Sequence, residues 1–356
     1  MEEMNTTLAP AEVEEKDYIL EVEGLKQHFP IQKNMFGKPT AFLRAVDGVS
    51  FKLERGKTLG IVGESGCGKT TLGRTILRLY DVTEGSAVYA SQKEDGSVVR
   101  YDLATLKKSE LAGLRTELQL VFQDPYSSLP PRMTVGEIIG EAVRTHKIVP
   151  AGEVPDYVRS IMTRCGLQAH HYDRYPHEFS GGQRQRICIA RALAVKPKLV
   201  ICDEPVSALD VSIQAQIINL LKKLQREEGM SYLFISHDLS VVKYISDSIA
   251  VMYLGNVVEM GSAKDICTNP QHPYTQALFS AVPVANPHHK SEPVALEGEL
   301  PSPANPPKGC KFHTRCKHCT ERCREEAPAM VEVGEGHFVA CHLACDLTPQ
   351  SEDTSV

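Results

Sequence analysis

Residues Phe179 to Arg184 have the sequence FSGGQR, and the segments on either side of this stretch decide the fold. A glycine-rich loop with the sequence GESGCGKT runs from Gly63 to Thr70, far upstream. An apolar run that ends in two acids, LVICDE from Leu199 to Glu204, follows shortly after FSGGQR. The loop alone predicts only that a nucleoside triphosphate binds. The three segments in this order predict one kind of nucleotide-hydrolysing machine.

The glycine-rich loop matches the full P-loop pattern, and its flanks have the expected strand and helix patterns. Glycines let consecutive backbone N–H groups turn toward the phosphates, and the following helix N-terminus adds to the attraction. Lys69 is expected to reach the β- and γ-phosphates, and Thr70 to offer its hydroxyl to Mg²⁺. The predicted ATP-binding residues of this loop are Gly63, Glu64, Ser65, Gly66, Cys67, Gly68, Lys69, Thr70 and Thr71.

The two acids end a strand at the position where ligands bind in α/β sheets, outside the carboxyl ends of the strands. Asp203 is expected to hold the magnesium ion, and Glu204 to orient and polarise the attacking water. Two acids at a strand end are common at solvent-facing ends, so alone they predict little. In combination with the P-loop they predict a site of ATP hydrolysis.

The patterns along the chain predict an α/β fold. Short apolar runs at 58–62, 198–202 and 231–235 are typical of buried strands, and helical periodicity fills much of the segment between about 125 and 190. Strands that alternate with helices predict a largely parallel sheet flanked by helices. A final hairpin is predicted over Ile249 to Val258, with Gly255 and Asn256 at its turn.

From about Tyr18 to Gly261 the chain resembles the ATP-binding subunit of an ABC transporter. The resemblance implies a P-loop NTPase nucleotide-binding domain with a mixed-sheet core and an α-helical subdomain. It also implies that Gln123 senses Mg²⁺ and couples to the membrane subunit, and that His237 contacts the γ-phosphate. An aromatic residue that stacks on adenine is expected as well, and Phe29 fits best, with His28 as the second candidate.

The resemblance assigns a further role to the FSGGQR stretch. The family signature corresponds to Ser180, Gly181, Gly182 and Gln183, which act on the ATP of a second ATPase subunit. The loop SALD, which follows the acidic strand, ends at Asp210 and belongs to the same nucleotide-binding set. The resemblance therefore implies a site that is divided between two subunits.

Two further segments resemble the F-type ATP-binding subunits of oligopeptide and dipeptide importers. They are NPQHPYTQAL from Asn269 to Leu278 and DPYSSL from Asp124 to Leu129. Pro130 stands where the family usually has asparagine, a departure that leaves the catalytic set intact. The resemblance implies uptake of di- and oligopeptides by a complex with a second homologous ATPase in a heterodimer, two transmembrane permeases and a peptide-binding protein.

Two alternatives to the peptide importer stay open. The first is the same machine with another solute, such as a nickel complex, an opine or glutathione, because ATPase subunits do not touch the cargo. The second is a soluble ABC protein that acts on ribosomes or DNA. Soluble members of that kind fuse two cassettes or insert a long coiled coil, whereas this sequence has one cassette and no sustained heptad pattern.

Six cysteines crowd the C-terminal end: Cys310, Cys316, Cys319, Cys323, Cys341 and Cys345. The resemblance implies that four of them, Cys310, Cys316, Cys323 and Cys341, bind an iron–sulfur (4Fe-4S) cluster. Four thiolates also suit Zn²⁺, and the neighbouring histidines His313, His318, His337 and His342 enlarge that alternative. A metal-free tail is the third possibility. The five remaining cysteines are interpreted as small buried hydrophobic residues.

The bulk properties limit the compartment and the partners. The 356 residues carry a formal charge of −6, which gives no general attraction to nucleic acid. The acidic N-terminus has no apolar segment typical of a secretory signal, and no apolar run reaches the roughly 18 residues of a spanning helix. We expect a peripheral protein at the cytoplasmic face of the inner membrane, held there by a partner.

The predicted domain organisation has five parts. They are a disordered acidic tail at 1–17, an ABC ATP-binding domain at 18–265, a His-Pro-Tyr extension with a proline-rich linker at 266–308, a cysteine-rich module at 309–346 and a disordered tail at 347–356.

Overall fold

The computed structural model describes residues 17–34, 36, 38–93, 95–281, 296 and 298–345. The N-terminal tail up to residue 16, much of the proline-rich linker and the tail predicted at 347–356 lie outside the described residues. No helix in the described part of the chain combines the length and the apolar character that crossing a membrane requires.

The described residues form strands and helices with the following bounds. The strands are β1 (Tyr18–Lys33), β2 (Pro39–Glu54), β3 (Thr58–Val62), β4 (Glu84–Gln92), β5 (Val98–Asp102), β6 (Leu118–Val121), β7 (Leu199–Asp203), β8 (Ser231–Ile235), β9 (Ser248–Tyr253), β10 (Asn256–Ser262), β11 (Val331–Gly334) and β12 (His337–Val339). The α-helices are α1 (Lys69–Ile76), α2 (Lys108–Gly113), α3 (Pro125–Ser128), α4 (Val135–Thr145), α5 (Val154–Arg164), α6 (Gly181–Leu193), α7 (Val211–Glu228), α8 (Leu239–Ile245), α9 (Ala263–Thr268), α10 (Pro273–Ser280), α11 (Glu321–Glu325) and α12 (His342–Cys345).

The main sheet has the strand order β11-β12-β10-β9-β3-β8-β7-β6 among the described residues. Its central strands are parallel: β3 pairs with both β8 and β9, and β7 pairs with β8 and β6. Every residue of β3, β7 and β8 is buried, as expected for parallel strands covered on both faces. Since these three strands are neighbours and point the same way, their carboxyl ends meet at one edge of the sheet.

A second sheet is antiparallel, with the order β2-β1-β4-β5. It forms a core together with α1 and one face of the main sheet. One backbone hydrogen bond, from Asp47 N to Gly255 O at 2.8 Å, fixes β2 against the turn between β9 and β10. This contact brings β2 beside the P-loop.

The helical subdomain contains α3 to α6, which pack on one another and on the main core. The predicted helix over Val135 to Thr145 is confirmed as α4. Its start is fixed by a capping box, in which Glu137 N donates to Thr134 Oγ1 and Thr134 N donates to the Glu137 carboxylate at 2.7 Å. The two reciprocal bonds satisfy backbone groups that a helix start leaves without partners.

The position predicted for the hairpin turn is wrong by one residue. β9 and β10 are joined by Leu254 and Gly255, whose φ angles are +42° and +79°. Asn256 is already in β10, where it pairs with Tyr253 and its amide donates to Asp47 O at 2.7 Å. A two-residue turn with both central residues at positive φ matches the twist of the strands. This match explains why the turn falls at Leu254 and Gly255.

The cysteine-rich tail joins the main sheet. β12 pairs with β10, with Glu259 opposite Val339 and Met260 opposite Phe338, and β11 adds the outermost strand. Beneath this junction the buried Glu259 carboxylate lies 2.7 Å from His337 Nε2 and accepts hydrogen bonds from the backbone N–H groups of Gln271 and His272. One buried acid thus ties the tail and the His-Pro-Tyr segment to the same strand.

Candidate nucleotide site

A cleft of about 510 Å³ opens where the carboxyl ends of β3, β7 and β8 meet. Its size lies in the range of small-molecule sites. The P-loop follows β3, Glu204 follows β7 and His237 follows β8. The cleft is lined by Leu43, Ala45, Ser65, Gly66, Gly68, Lys69, Thr70, Thr71, Gln123, Glu204, His237 and Pro303.

The P-loop is held in shape by its own lysine and by the close approach of β2. Lys69 Nζ donates to Gly63 O at 2.7 Å and to Glu64 O at 3.0 Å. Gly68 has a φ of +106°, and a Cβ atom there would lie 2.0 Å from Ala45 O. Only glycine fits this position, since any side chain would collide with the β2 backbone. The loop therefore presents the Lys69 ammonium on the floor of the cleft.

Thr70 and Asp203 lie together beneath the cleft. Thr70 Oγ1 donates to Asp203 Oδ1 at 2.7 Å. Burial raises the pKa of the Asp203 carboxyl, against the opposing effect of this hydrogen bond. Its second oxygen, Oδ2, is buried without a hydrogen-bond partner among the described residues, and the nearest cation is Arg74 at 3.6 Å. A carboxylate oxygen in this condition fits a divalent cation, whose charge would favour the ionised form.

Gln123 and His237 converge on the carboxylate of Glu204. Gln123 Nε2 donates to Glu204 Oε2 at 2.8 Å, and His237 Nδ1 lies 3.2 Å from the same oxygen. The backbone of Glu204 has a φ of +47°, a costly conformation for a residue with a side chain. A hydrogen bond of 2.9 Å from Glu204 N to Ile235 O holds it there. Gln123, Glu204 and His237 were each predicted as site residues. They are far apart in the sequence, and the structure brings them together at the Glu204 carboxylate.

The signature residues form the start of α6 and do not line this cleft. Ser180 and Gln183 make a capping box, in which Gln183 N donates to Ser180 Oγ at 3.4 Å and Ser180 N donates to Gln183 Oε1 at 3.0 Å. A Cβ atom on Gly182 would lie 2.5 Å from a methyl carbon of Ile213, so a side chain there would force Ile213, in the first turn of α7, to shift. Asp210, which precedes α7, is also outside the cleft.

The aromatic residues predicted to stack on adenine do not line the cleft either. The Phe29 ring packs edge-on against Tyr80, with ring centroids 5.2 Å apart. His28 Nε2 lies 2.9 Å from Asp47 Oδ1. Leu43, Ala45 and Pro303 form the cleft wall on the β2 side. The stacking role of Phe29 stays a prediction.

The C-terminal extension also contributes to this site, which the motifs did not predict. Pro303 lines the cleft, and its carbonyl accepts a hydrogen bond from Arg44 N at 3.1 Å. Tyr274 and Arg315 both contact Glu64, in the P-loop. The only available signal was the His-Pro-Tyr-Thr motif, which marks Tyr274 without indicating its partner.

The four cysteines predicted to share a cluster line one small pocket, together with histidines that include His272, His313 and His318. Cys319 is outside this pocket, with its Sγ 3.5 Å from Thr320 O. His337 is also outside, because it pairs with Glu259. Within the described residues, no three His, Cys, Asp or Glu side chains form a group that could hold a metal ion. The four thiols thus share the lining of one pocket.

Comparisons with known protein families match two parts of the chain. A family model described as ABC transporter matches residues 46–207. A second, described as the C-terminal region of oligopeptide and dipeptide transporters, matches residues 258–323. Both resemblances stated from the motifs are confirmed by these matches.

Characterised relatives match over almost their whole length. The oligopeptide transport ATP-binding protein AppF of Bacillus subtilis is 52% identical over 331 residues, which is 92% of this chain and 98% of the relative. The oligopeptide transport ATP-binding protein OppF of Salmonella typhimurium is 50% identical and covers 93% of this chain and 98% of its own. The dipeptide transport ATP-binding protein DppF of Haemophilus influenzae is also 50% identical, with coverage of 93% and 98%.

Solved structures confirm the fold class. CbiO1 from Clostridium perfringens is part of an ABC transporter complex. The match covers 71% of this chain and 92% of the CbiO1 chain, with a TM-score of 0.58 and 28% identity. A dimeric structure of the ATP-binding cassette MJ0796 bound to ADP and Pi matches 68% of this chain and 98% of its own, with a TM-score of 0.58 and 25% identity. The mixed-sheet core with a helical subdomain is the fold of ABC ATPases.

Proposed function

This chain belongs to the ATP-binding subunits of oligopeptide and dipeptide ABC transporters, and we propose that it hydrolyses ATP to energise the uptake of short peptides. The observation that carries the proposal is the convergence of Gln123 and His237 on Glu204, beside a complete P-loop. The cargo class rests on relatives that are named for oligopeptide and dipeptide transport.

The side chains of the cleft divide the work of phosphoryl transfer to water. This reaction needs charge neutralisation and an in-line nucleophile more than covalent chemistry. Lys69 and the P-loop amides would neutralise the phosphates. Glu204 would orient and polarise the attacking water, and His237 would contact the γ-phosphate. Gln123, which shares an oxygen of Glu204 with His237, would register the state of the site for the membrane subunit.

A magnesium ion fits the residues beneath the cleft. Thr70 offers a hydroxyl oxygen, and Asp203 has a buried oxygen that lacks a hydrogen-bond partner among the described residues. Oxygen donors of this kind suit Mg²⁺, which keeps several waters and binds phosphates as well. When bound, the ion supplies neutralisation of the β- and γ-phosphate charge. Gln123, on the cleft wall, would complete the protein's contribution.

The signature at the start of α6 supports a divided site. It lies outside the chain's own cleft, and the N-terminus of a helix is well suited to bind phosphate. We infer that Ser180 to Gln183 act on ATP held by a second homologous ATPase in a heterodimer, with Asp210 near the shared boundary. Two transmembrane permeases and a peptide-binding protein complete the importer. The chain would lie at the cytoplasmic face of the inner membrane.

We propose that the cysteine pocket holds a 4Fe-4S cluster, with Zn²⁺ as the alternative. The support is that Cys310, Cys316, Cys323 and Cys341 line this pocket together, and four thiolates are a ligand set of such a cluster. Such a cluster would fasten the tail and has no electron-transfer role in this proposal.

Iron content tests the cluster. Protein purified without oxygen is expected to be brown and to contain about four iron atoms per chain. Cys323→Ser should lose most of the iron, because it removes one of four ligands. Cys319→Ser is the matched control and should keep it, since Cys319 lies outside the pocket. Colourless protein that contains only zinc, or iron that is equally lost from both variants, would contradict the assignment.

The transport function is tested in cells that lack this chain. We expect them to lose uptake of labelled di- and oligopeptides and to regain it with the parent chain but not with Glu204→Gln. Restored uptake of a nickel complex, opine or glutathione instead would select the alternative cargo. Purification without any membrane permease would favour the soluble alternative.

A further inference from the structure

The C-terminal extension fastens the second residue of the P-loop. Arg315 forms a two-pronged ion pair with the Glu64 carboxylate, with Nη1 to Oε2 at 2.7 Å and Nη2 to Oε1 at 3.1 Å. The Arg315 side chain is only 6% exposed, and that of Glu64 is 27% exposed. A pair with this geometry and this little solvent contact is stronger than an ordinary surface ion pair.

The C-terminal extension also holds the backbone of Glu64. Glu64 N donates to the hydroxyl of Tyr274 at 2.8 Å, and Tyr274 is fully buried. The rings of Tyr253 and Phe312 pack around Tyr274, with centroids 4.8 and 5.5 Å from its own. Lys69 Nζ donates to Glu64 O at 3.0 Å. The extension therefore holds the backbone N–H and the carboxylate of Glu64, and the catalytic lysine holds its carbonyl.

This arrangement solves an electrostatic problem at the cleft. Glu64 directly precedes Ser65, which lines the cleft where a triphosphate with several negative charges would bind. An unpaired carboxylate there would repel the phosphates and, when free to turn, would compete for the Lys69 ammonium. The guanidinium of Arg315 neutralises the carboxylate and holds it away from the cleft.

We propose that Arg315, supplied by the cysteine-rich tail, is a positioning residue for ATP binding that acts through Glu64. The inference rests on the proposed ATPase function and adds a residue to it. We expect the effect on nucleotide affinity, because the carboxylate that Arg315 pairs with belongs to the P-loop, whereas Glu204 follows β7. The next residue, Cys316, lines the cysteine pocket. We call the contacts of Arg315 and Tyr274 with Glu64 the P-loop clamp, and its Arg315 is thus adjacent in sequence to the cysteine pocket.

The test compares Arg315 variants in the assembled importer. Arg315→Gln is expected to raise the KM for ATP about ten-fold and to change kcat less than about two-fold, as for the loss of one charge-assisted pair. Arg315→Lys keeps the charge without the two-pronged geometry and should give an intermediate KM. Arg324→Gln removes an exposed arginine from the same tail, 61% exposed, and should leave KM unchanged.

A second substitution separates positioning from a general loosening of the tail. Once Glu64→Gln has removed the repelling carboxylate, adding Arg315→Gln should change the KM by less than about two-fold relative to Glu64→Gln alone. A general loosening of the tail would raise the KM in the Glu64→Gln background as well. The inference is overturned by an unchanged KM in Arg315→Gln, or by a KM that rises as much when Arg315→Gln is added to Glu64→Gln as when it is added to the parent chain. A parent importer without ATP hydrolysis would instead refute the proposed function.

Discussion

Glu204→Gln is expected to bind ATP with the affinity of the parent chain and to lose hydrolysis by at least about 100-fold. The amide has the size and shape of the carboxylate, so Gln123 and His237 still face a group of similar shape in this variant. An amide cannot polarise a water molecule as a carboxylate does. The P-loop, which carries the binding energy, is untouched. Equilibrium binding of ATP and steady-state hydrolysis by the importer measure the two effects separately.

The matched control is Glu227→Gln, which neutralises a carboxylate on the exposed face of α7. It should hydrolyse ATP at the parent rate, since only a surface pair with Lys223 is lost. Parent-like turnover in Glu204→Gln would remove Glu204 from the catalytic role. A loss of ATP binding equal to the loss of hydrolysis would assign it to binding instead.

Lys69→Met is expected to weaken ATP binding by roughly 30- to 150-fold, because a charge-assisted interaction with phosphate contributes about 2–3 kcal/mol. The ammonium is nearly buried, with a residue exposure of 5%, and it already donates to two P-loop carbonyls. Methionine keeps most of the side-chain volume and removes all of these hydrogen bonds. Both the phosphate contact and the shape of the loop should therefore suffer.

The control for this variant is Lys57→Met, at the exposed turn before β3. It removes an equal charge outside the cleft and should leave the dissociation constant within about two-fold of the parent value. Titration of each chain with a fluorescent ATP analogue gives the comparison. Unaltered binding in Lys69→Met would mean that the backbone amides alone hold the phosphates.

The nucleotide site was largely predictable because each of its parts is a local motif at a strand end. The P-loop, Asp203, Glu204 and His237 follow strands that are recognisable as short apolar runs, and neighbouring parallel strands bring their ends together. Gln123 needed the family resemblance, since one glutamine after a short strand has no signal of its own.

The P-loop clamp could not be predicted from the sequence, for a physical reason. Arg315 and Tyr274 are separated from Glu64 by 251 and 210 residues. No periodicity or spacing relates such positions, and the contacts exist only once the chain has folded. The predicted position of the hairpin turn was wrong for a local reason. Leu254 adopts a positive φ, which is unusual for a leucine and has no signal in the sequence.

The ion pair between Arg315 and Glu64 has a thermodynamic consequence for the transport cycle. Coupling between two binding events is reciprocal, so the factor by which a docked tail strengthens ATP binding is the factor by which ATP strengthens tail docking. A subunit that has released its nucleotide holds its tail less firmly, and one that is loaded holds it more firmly. The stability of the docked tail therefore follows the occupancy of the nucleotide site.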